Sequence, residues 1–207
     1  VARQLLQIKA IKLSPQSPFT WASGRQSPIY CDNRTVLSHP AVRDFILLCF
    51  VEAAARFGRI DGVAGVATAG IPHGALLADR LGLPFIYVRS KPKAHGRQNM
   101  IEGVLEPGHT YLVIEDLIST GGSSLQAVEA LREAGAQVAG VLAIFTYGFP
   151  EAAAAFAAAD CPLATLSHYE ALIEEAIQAG YVTADQQALL AAWREDPVAW
   201  SERAAKN

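Results

Sequence analysis

Tyr111-Leu-Val-Ile-Glu-Asp-Leu-Ile-Ser-Thr-Gly-Gly-Ser-Ser124 opens on a short apolar run and closes on a polar glycine turn. Tyr111 to Ile114 reads as a strand buried on both faces, and Glu115 and Asp116 stand where that strand is expected to end. The turn Ser119-Thr-Gly-Gly-Ser123 follows, and Leu125 to Ala134 continues with helical spacing until Gly135. Strand, glycine turn and helix form an anion site, because free N–H groups and the helix dipole meet the charge there. The two carboxylates would repel a phosphate, so they belong to a neighbouring part of the ligand that offers hydroxyl donors. A ribose 5-phosphate has both parts: its diol suits Glu115 and Asp116, and its phosphate suits the turn from Ser119 to Ser123, entered through Leu117 and Ile118. The competing reading is a surface loop whose acids cap the next helix.

Outward from this stretch, strands and helices alternate. Gly62 to Ala67, Phe85 to Val88, Val138 to Tyr147 and Leu163 to Leu166 read as further strands. Helices are expected over Pro40 to Phe57, from Pro72 to near Gly82, and over Glu151 to Ala159. Such alternation implies βαβ crossovers and a parallel sheet flanked by helices. Ligands then bind beyond the carboxyl ends of the strands. Three segments fall there: the turn Thr68-Ala69-Gly70, the segment after Val88, and the turn after Ile114. Tyr169 to Ala179, Asp185 to Trp193 and Pro197 to Ala205 read as helices on the outside of an α/β core spanning 38–207. The front of the chain, 1–37, differs in texture. A weak helix over Arg3 to Ile11 precedes a stretch punctuated by Pro15, Pro18, Gly24 and Pro28. There Phe19 to Trp21 and Ile29 to Cys31 suggest a hairpin, within a small cap on one single domain.

Bulk properties narrow the function. At 207 residues and 51% hydrophobic content, one good-sized core is expected. A net charge of −3 argues against a nucleic-acid binder. Cys31, Cys49 and Cys161 are widely spaced and outside any CxxC, which points to neither disulfides nor zinc. Phe45 to Val51 is too short to span a bilayer, and no secretory leader is evident, so a cytoplasmic protein without membrane contact is expected. Arg89-Ser-Lys-Pro-Lys-Ala-His-Gly-Arg97 concentrates four fixed cations and one histidine with no acid before Glu102. These like charges repel one another unless an anion joins them, and a pyrophosphate would serve. Thr68-Ala69-Gly70 can offer backbone N–H groups to the same anion. His39, His73, His109 and His168 have no partner pattern and are read as structural.

Val113-Ile-Glu-Asp-Leu-Ile-Ser-Thr-Gly-Gly-Ser123 resembles the phosphoribosyl pyrophosphate (PRPP) signature of the type I phosphoribosyltransferases. Phe19-Thr-Trp-Ala-Ser-Gly-Arg-Gln-Ser-Pro-Ile-Tyr30 and the basic segment are similar to the orotate-using branch of that family. The resemblance implies a type I phosphoribosyltransferase fold with residues 1–37 as a hood over the base. It also implies transfer of the phosphoribosyl group to orotate, with orotidine 5′-monophosphate and pyrophosphate as products, in UMP biosynthesis. Arg89, Lys93 and His95 match the family's catalytic segment, which reaches into the other subunit of a homodimer, and Lys91 joins the PRPP contacts. Ser119 is implied to touch the base as well as the phosphate. Mg²⁺ is implied as cofactor, held mainly through PRPP oxygens rather than by dedicated protein ligands. The chain departs from the pattern at Ala22, Ala69, Ser90 and Tyr147, where orotate enzymes carry lysine or arginine, so Arg25 and Arg34 are assigned to the orotate carboxylate. Two other readings stay open: a purine base in place of orotate, or a PRPP-sensing regulator without catalysis.

Overall fold

A computed structural model describes residues 1–21, 24–90 and 100–204. Two units emerge, one of Val1–His39 with Ser167–Asn207 and the other of Pro40–Leu166. The boundary differs from the expected core of 38–207, since the C-terminal helices join the front segment instead.

The first unit begins with helix α1 (Ala2–Gln7), shorter than expected, because Ile11 enters a strand. Strand β1 (Ile11–Leu13) is followed by β2 (Phe19–Thr20), β3 (Gln26–Ser27) and β4 (Ile29–Cys31). The expected pairing of Phe19–Trp21 with Ile29–Cys31 is not formed. β2 instead pairs with β3, and β4 pairs antiparallel with β1. The Trp21 N–H donates to the Arg25 carbonyl, which closes the turn early and hands Ile29–Cys31 to another partner.

The second unit starts with α2 (Pro40–Ala54) and continues through β5 (Gly62–Val66), α3 (Gly70–Leu81), β6 (Phe85–Val88) and β7 (Ile101–Glu102). Then come β8 (Thr110–Ile118), α4 (Gly122–Glu133), β9 (Gln137–Thr146), α5 (Pro150–Ala158) and β10 (Leu163–His168). Six strands align in the order β10-β9-β8-β5-β6-β7. β8 pairs parallel with both β5 and β9, and β5 parallel with β6, so the central strands are the hydrophobic runs read from sequence. Tyr111, Leu112, Val113 and Ile114 are each no more than 1% exposed. Burying a side chain of that size contributes about 1.5–3 kcal/mol.

Two strands depart from expectation. β7 pairs antiparallel with β6 through Tyr87↔Glu102 and Val88↔Ile101. Two residues carry no periodicity, so nothing in the sequence announced it. β8 does not stop at Ile114 but runs four residues further, to Ile118. Its pairing with β5 ends at Gly65↔Ile114, while β9 follows it to Ile118↔Thr146. The acids therefore lie inside a strand, on an overhang beyond its last pairing with β5.

The helices α6 (Tyr169–Gln178), α7 (Ala184–Glu195) and α8 (Pro197–Ala204) complete the first unit. Trp193 of α7 is buried among aromatic rings, with Trp21 edge-on at 6.2 Å and Tyr169 at 5.7 Å. The Tyr169 hydroxyl donates to the Leu190 carbonyl at 2.9 Å, and the Gln26 N–H donates to Ser201 Oγ at 2.8 Å. An indole from α7 thus becomes the core of a segment more than 150 positions upstream, which explains the grouping. None of the helices among the described residues is long and apolar enough to cross a membrane.

Candidate active site

Two helices of the second unit begin where the sequence placed anion turns, and neither has a capping side chain. Ala69 is the N-cap of α3 and Gly121 that of α4, and neither first turn contains an acid. The first N–H groups of a helix have no partner within it. A helix start with no side-chain cap and no acid can receive an anion on those donors. The two turns are held at the same strand. A side-chain carbon on Gly70 would fall on the Ile114 carbonyl oxygen and stand 3.3 Å from Glu115 Cα. Gly70 is therefore packed against the strand that carries the acids. Thr68 is exposed and Ala69 half-buried, so this turn is open to a ligand.

At the far end of the overhang, Ile118 is buried and its carbonyl accepts from Thr146 Oγ1 at 3.1 Å and from the Tyr147 N–H at 3.2 Å. Ser119 is half-buried, Thr120, Gly122 and Ser123 are exposed, and Leu117 is half-buried. Gly121 is buried with φ +84°, a left-handed conformation that glycine adopts without steric cost. The helix begins at Gly122, three residues earlier than the periodicity suggested, so Ser123 and Ser124 belong to its first turn.

The two carboxylates are not equivalent. Glu115 is only 5% exposed. It accepts from the Asp116 N–H at 3.0 Å, from Ser124 Oγ at 3.3 Å and from Ser123 Oγ at 3.4 Å. Burial, with the adjacent Asp116 charge second, raises its carboxyl well above the usual glutamate range. Asp116 is half-buried, and so more accessible to a ligand. Ser124 was not anticipated; the doubled serine after the glycines was its only trace in the sequence.

Arg89 follows β6 directly. Its N–H donates to the Met100 carbonyl at 2.8 Å, and its Nη1 lies 3.4 Å from Glu102 Oε1 on β7. The first cation of the basic segment thus has a carboxylate beside it, supplied by a strand the sequence did not reveal. Lys91, Lys93 and His95 lie outside the described residues. Arg25 and Arg34 belong to the first unit, where Arg25 is exposed. Arg34 grips Asp32 with two nitrogens, Nε–Oδ1 2.7 Å and Nη2–Oδ2 3.0 Å, and lowers that carboxyl's pKa. His73, read as structural, is 3% exposed in α3 beside Phe50, and burial pushes its imidazole down to about 4.

Glu115 and Asp116 offer hard carboxylate oxygens beside two anion turns, and Mg²⁺ takes such a donor set when substrate phosphates complete its shell. Among the described residues, no three His, Cys, Asp or Glu gather around a common point.

Comparison with known proteins identifies the architecture. A phosphoribosyl transferase domain model matches residues 49–169. The orotate phosphoribosyltransferase of Bacteroides thetaiotaomicron is 56% identical over 200 residues, covering 96% of this chain and 94% of that one. The crystal structure of orotate phosphoribosyltransferase from Aeropyrum pernix superposes with a TM-score of 0.76 at 30% identity, over 88% of this chain and 99% of that one. UMP synthase from Leishmania donovani gives a TM-score of 0.79 at 25% identity, and the match covers 94% of this chain but 41% of that longer one. With a type I fold, the signature turn in place and this likeness over nearly its whole length, the chain belongs to the orotate phosphoribosyltransferases.

Proposed function

We propose that this chain transfers the 5-phosphoribosyl group of PRPP to N1 of orotate, releasing orotidine 5′-monophosphate and pyrophosphate for UMP synthesis. The observation that carries the reading is the pair of uncapped helix starts, at Ala69 and Gly121, on either side of the Glu115–Asp116 overhang. A ligand with a pyrophosphate at one end, a phosphate at the other and a diol between them matches that order. The turn Thr68–Gly70 takes the pyrophosphate, the turn Ser119–Ser123 takes the 5-phosphate, and the carboxylates accept from the ribose hydroxyls.

Glycosyl transfer of this kind passes through a transition state with positive charge at C1′ and growing negative charge on the leaving pyrophosphate. Neither demand needs a protein nucleophile. Cations placed at the leaving group stabilise it more in the transition state than in the ground state, which accelerates the chemical step. Arg89, Lys93 and His95 are assigned that role, with Lys91 at the PRPP phosphates. Asp116 and Glu115 are the residues that would lie nearest to Mg²⁺, which when bound neutralises pyrophosphate charge. Ser119 is assigned to the base edge, and Arg25 and Arg34 to the orotate carboxylate. Arg34 would have to share its guanidinium with Asp32 to serve there.

The proposal includes a homodimer in which the basic segment of one subunit serves the site of the other, a hood role for residues 1–37 within a single functional domain, and a cytoplasmic location. The location is supported by the thiols of Cys49 and Cys161, which suit a reducing compartment. A base panel tests the function: PRPP and Mg²⁺ are supplied with orotate, adenine, hypoxanthine, guanine or xanthine, and pyrophosphate release is followed. Release with orotate alone is expected. Release with a purine and not with orotate would overturn the assignment, and PRPP binding without release on any base would favour a sensor.

A further inference from the structure

The phosphate turn has a neighbour that no hydrogen bond reveals. A side-chain carbon built on Gly121 would stand 2.6 Å from Cε2 of Phe156 and 3.2 Å from its Cδ2. The edge of that ring therefore lies directly against the turn's backbone. Phe156 is 3% exposed and belongs to the same apolar cluster as Ala127, Val128 and Leu131 of α4. Its helix, α5, is tied to α4 by a second link. Arg132 of α4 donates through Nη1 to the Ala159 carbonyl at 2.7 Å and through Nη2 to the Asp160 carbonyl at 2.9 Å. The ring is thus held at a fixed height relative to the helix whose first N–H groups face the ligand.

The turn is braced from its other sides by groups already described. Ile118, before it, is pinned by Thr146 and Tyr147, and Ser123 and Ser124, after it, by Glu115. Gly121 has no side chain of its own to anchor it, and its left-handed φ is a conformation in which glycine has the most freedom. The Phe156 ring is what limits that freedom. Anion binding by backbone donors depends on their convergence on one point, so a turn that relaxes by a fraction of an ångström loses affinity without losing its fold.

We propose that Phe156 is a positioning residue for the 5-phosphate, acting through the backbone of Gly121. The proposal rests on the reading that Ser119–Ser123 receives that phosphate. It predicts a loss confined to one end of the substrate. A smaller side chain at this position weakens whatever carries the 5-phosphate and spares the base and the chemical step.

The test uses Phe156→Leu and, as a milder change in case that variant folds poorly, Phe156→Met. Ribose 5-phosphate binding is measured by calorimetry, alongside KM for PRPP, KM for orotate and kcat. The expected result is a parallel rise of about tenfold in the ribose 5-phosphate Kd and the PRPP KM. The orotate KM and the kcat at saturating PRPP stay within about twofold of the native values, a split that loss of folded protein cannot produce. A fall in kcat with unchanged KM values would assign Phe156 to stability alone and overturn the proposal. If native protein binds ribose 5-phosphate in competition with PRPP and both variants bind it equally well, the phosphate site stands and the role of Phe156 is overturned. If native protein shows no such competition, the phosphate assignment has itself failed, and the proposal falls with it.

Discussion

Gly70 and Ile114 touch so closely that no side chain fits between them; a methyl on Gly70 would overlap the Ile114 carbonyl oxygen. This contact sets the spacing between the Thr68–Gly70 turn and the strand segment that carries Glu115 and Asp116. Gly70→Ala should push the start of α3 away from β8. The expected outcome is a loss of roughly 1–3 kcal/mol in unfolding free energy, as for overpacked cores, with a higher KM for PRPP. Denaturant titration and steady-state kinetics check it. Native stability would show that the helix adjusts freely and sets no spacing.

Gly121→Val makes a different demand, because the position requires φ +84° and faces the Phe156 ring. A β-branched residue is strongly disfavoured in that conformation. PRPP affinity should fall by about 100-fold or more, as expected for a misplaced positioning element. Unchanged affinity in a direct binding assay would remove the turn from the phosphate site.

Replacing Glu115 and Asp116 together by amides should leave the fold intact and lower kcat/KM by about 100-fold or more, since hydrogen bonds to charged groups contribute roughly 1.5–3 kcal/mol each. Circular dichroism verifies the fold, and a near-native rate would show that neither carboxylate serves the ligand.

Glu115 also gives the ligand-free protein a pH signature. Its carboxyl is raised from an ordinary 4.5 to about 8, chiefly by burial. The folded state thus favours the neutral form more than the unfolded state does. That contribution to stability is whole below pH 4.5 and is lost as the pH climbs through about 8. Thermal midpoints should therefore decline across this window, and Glu115→Gln should flatten the decline. Parallel curves for the two proteins would contradict the burial argument.

How far the sequence could be read depended on the length of each signal. The apolar run at Tyr111–Ile114 was legible as a central strand and the S-T-G-G-S turn as the entry to α4, since buried strands and glycine turns have strong local chemistry. The strand's true end was hidden, because Glu115 and Asp116 look like a boundary while their backbones still pair with β9. β7 was invisible at two residues, and with it the carboxylate beside Arg89. The affiliation of α7 with the front segment depends on Trp21 meeting Trp193, a contact at long separation that no periodicity encodes.

Lys93→Ala is the most demanding prediction, as one donor to developing charge is worth about 3 kcal/mol, roughly 100-fold in rate. Turnover should fall by that factor, with a smaller effect on PRPP affinity. Mixing Lys93→Ala subunits with the Glu115/Asp116 double amide distinguishes a shared site from a private one. If the segment acts across the interface, a hybrid dimer holds one intact site and recovers about half the native rate. No recovery under proven subunit exchange would place the segment in its own subunit's site.

The stem formed by β6 and β7 separates two kinds of change that evolution or engineering can make. The chain leaves the sheet at Arg89 and re-enters at Met100, and one backbone hydrogen bond between them closes the passage. Substitutions and length changes between those two residues are insulated from the register of the central strands. Closing a somewhat longer loop adds only about 0.6 kcal/mol per doubling of its length. Whatever is changed there, β6 stays paired with β5 and β7 with β6 through residues outside that stretch, so the register of the sheet is inherited separately from the composition of the segment.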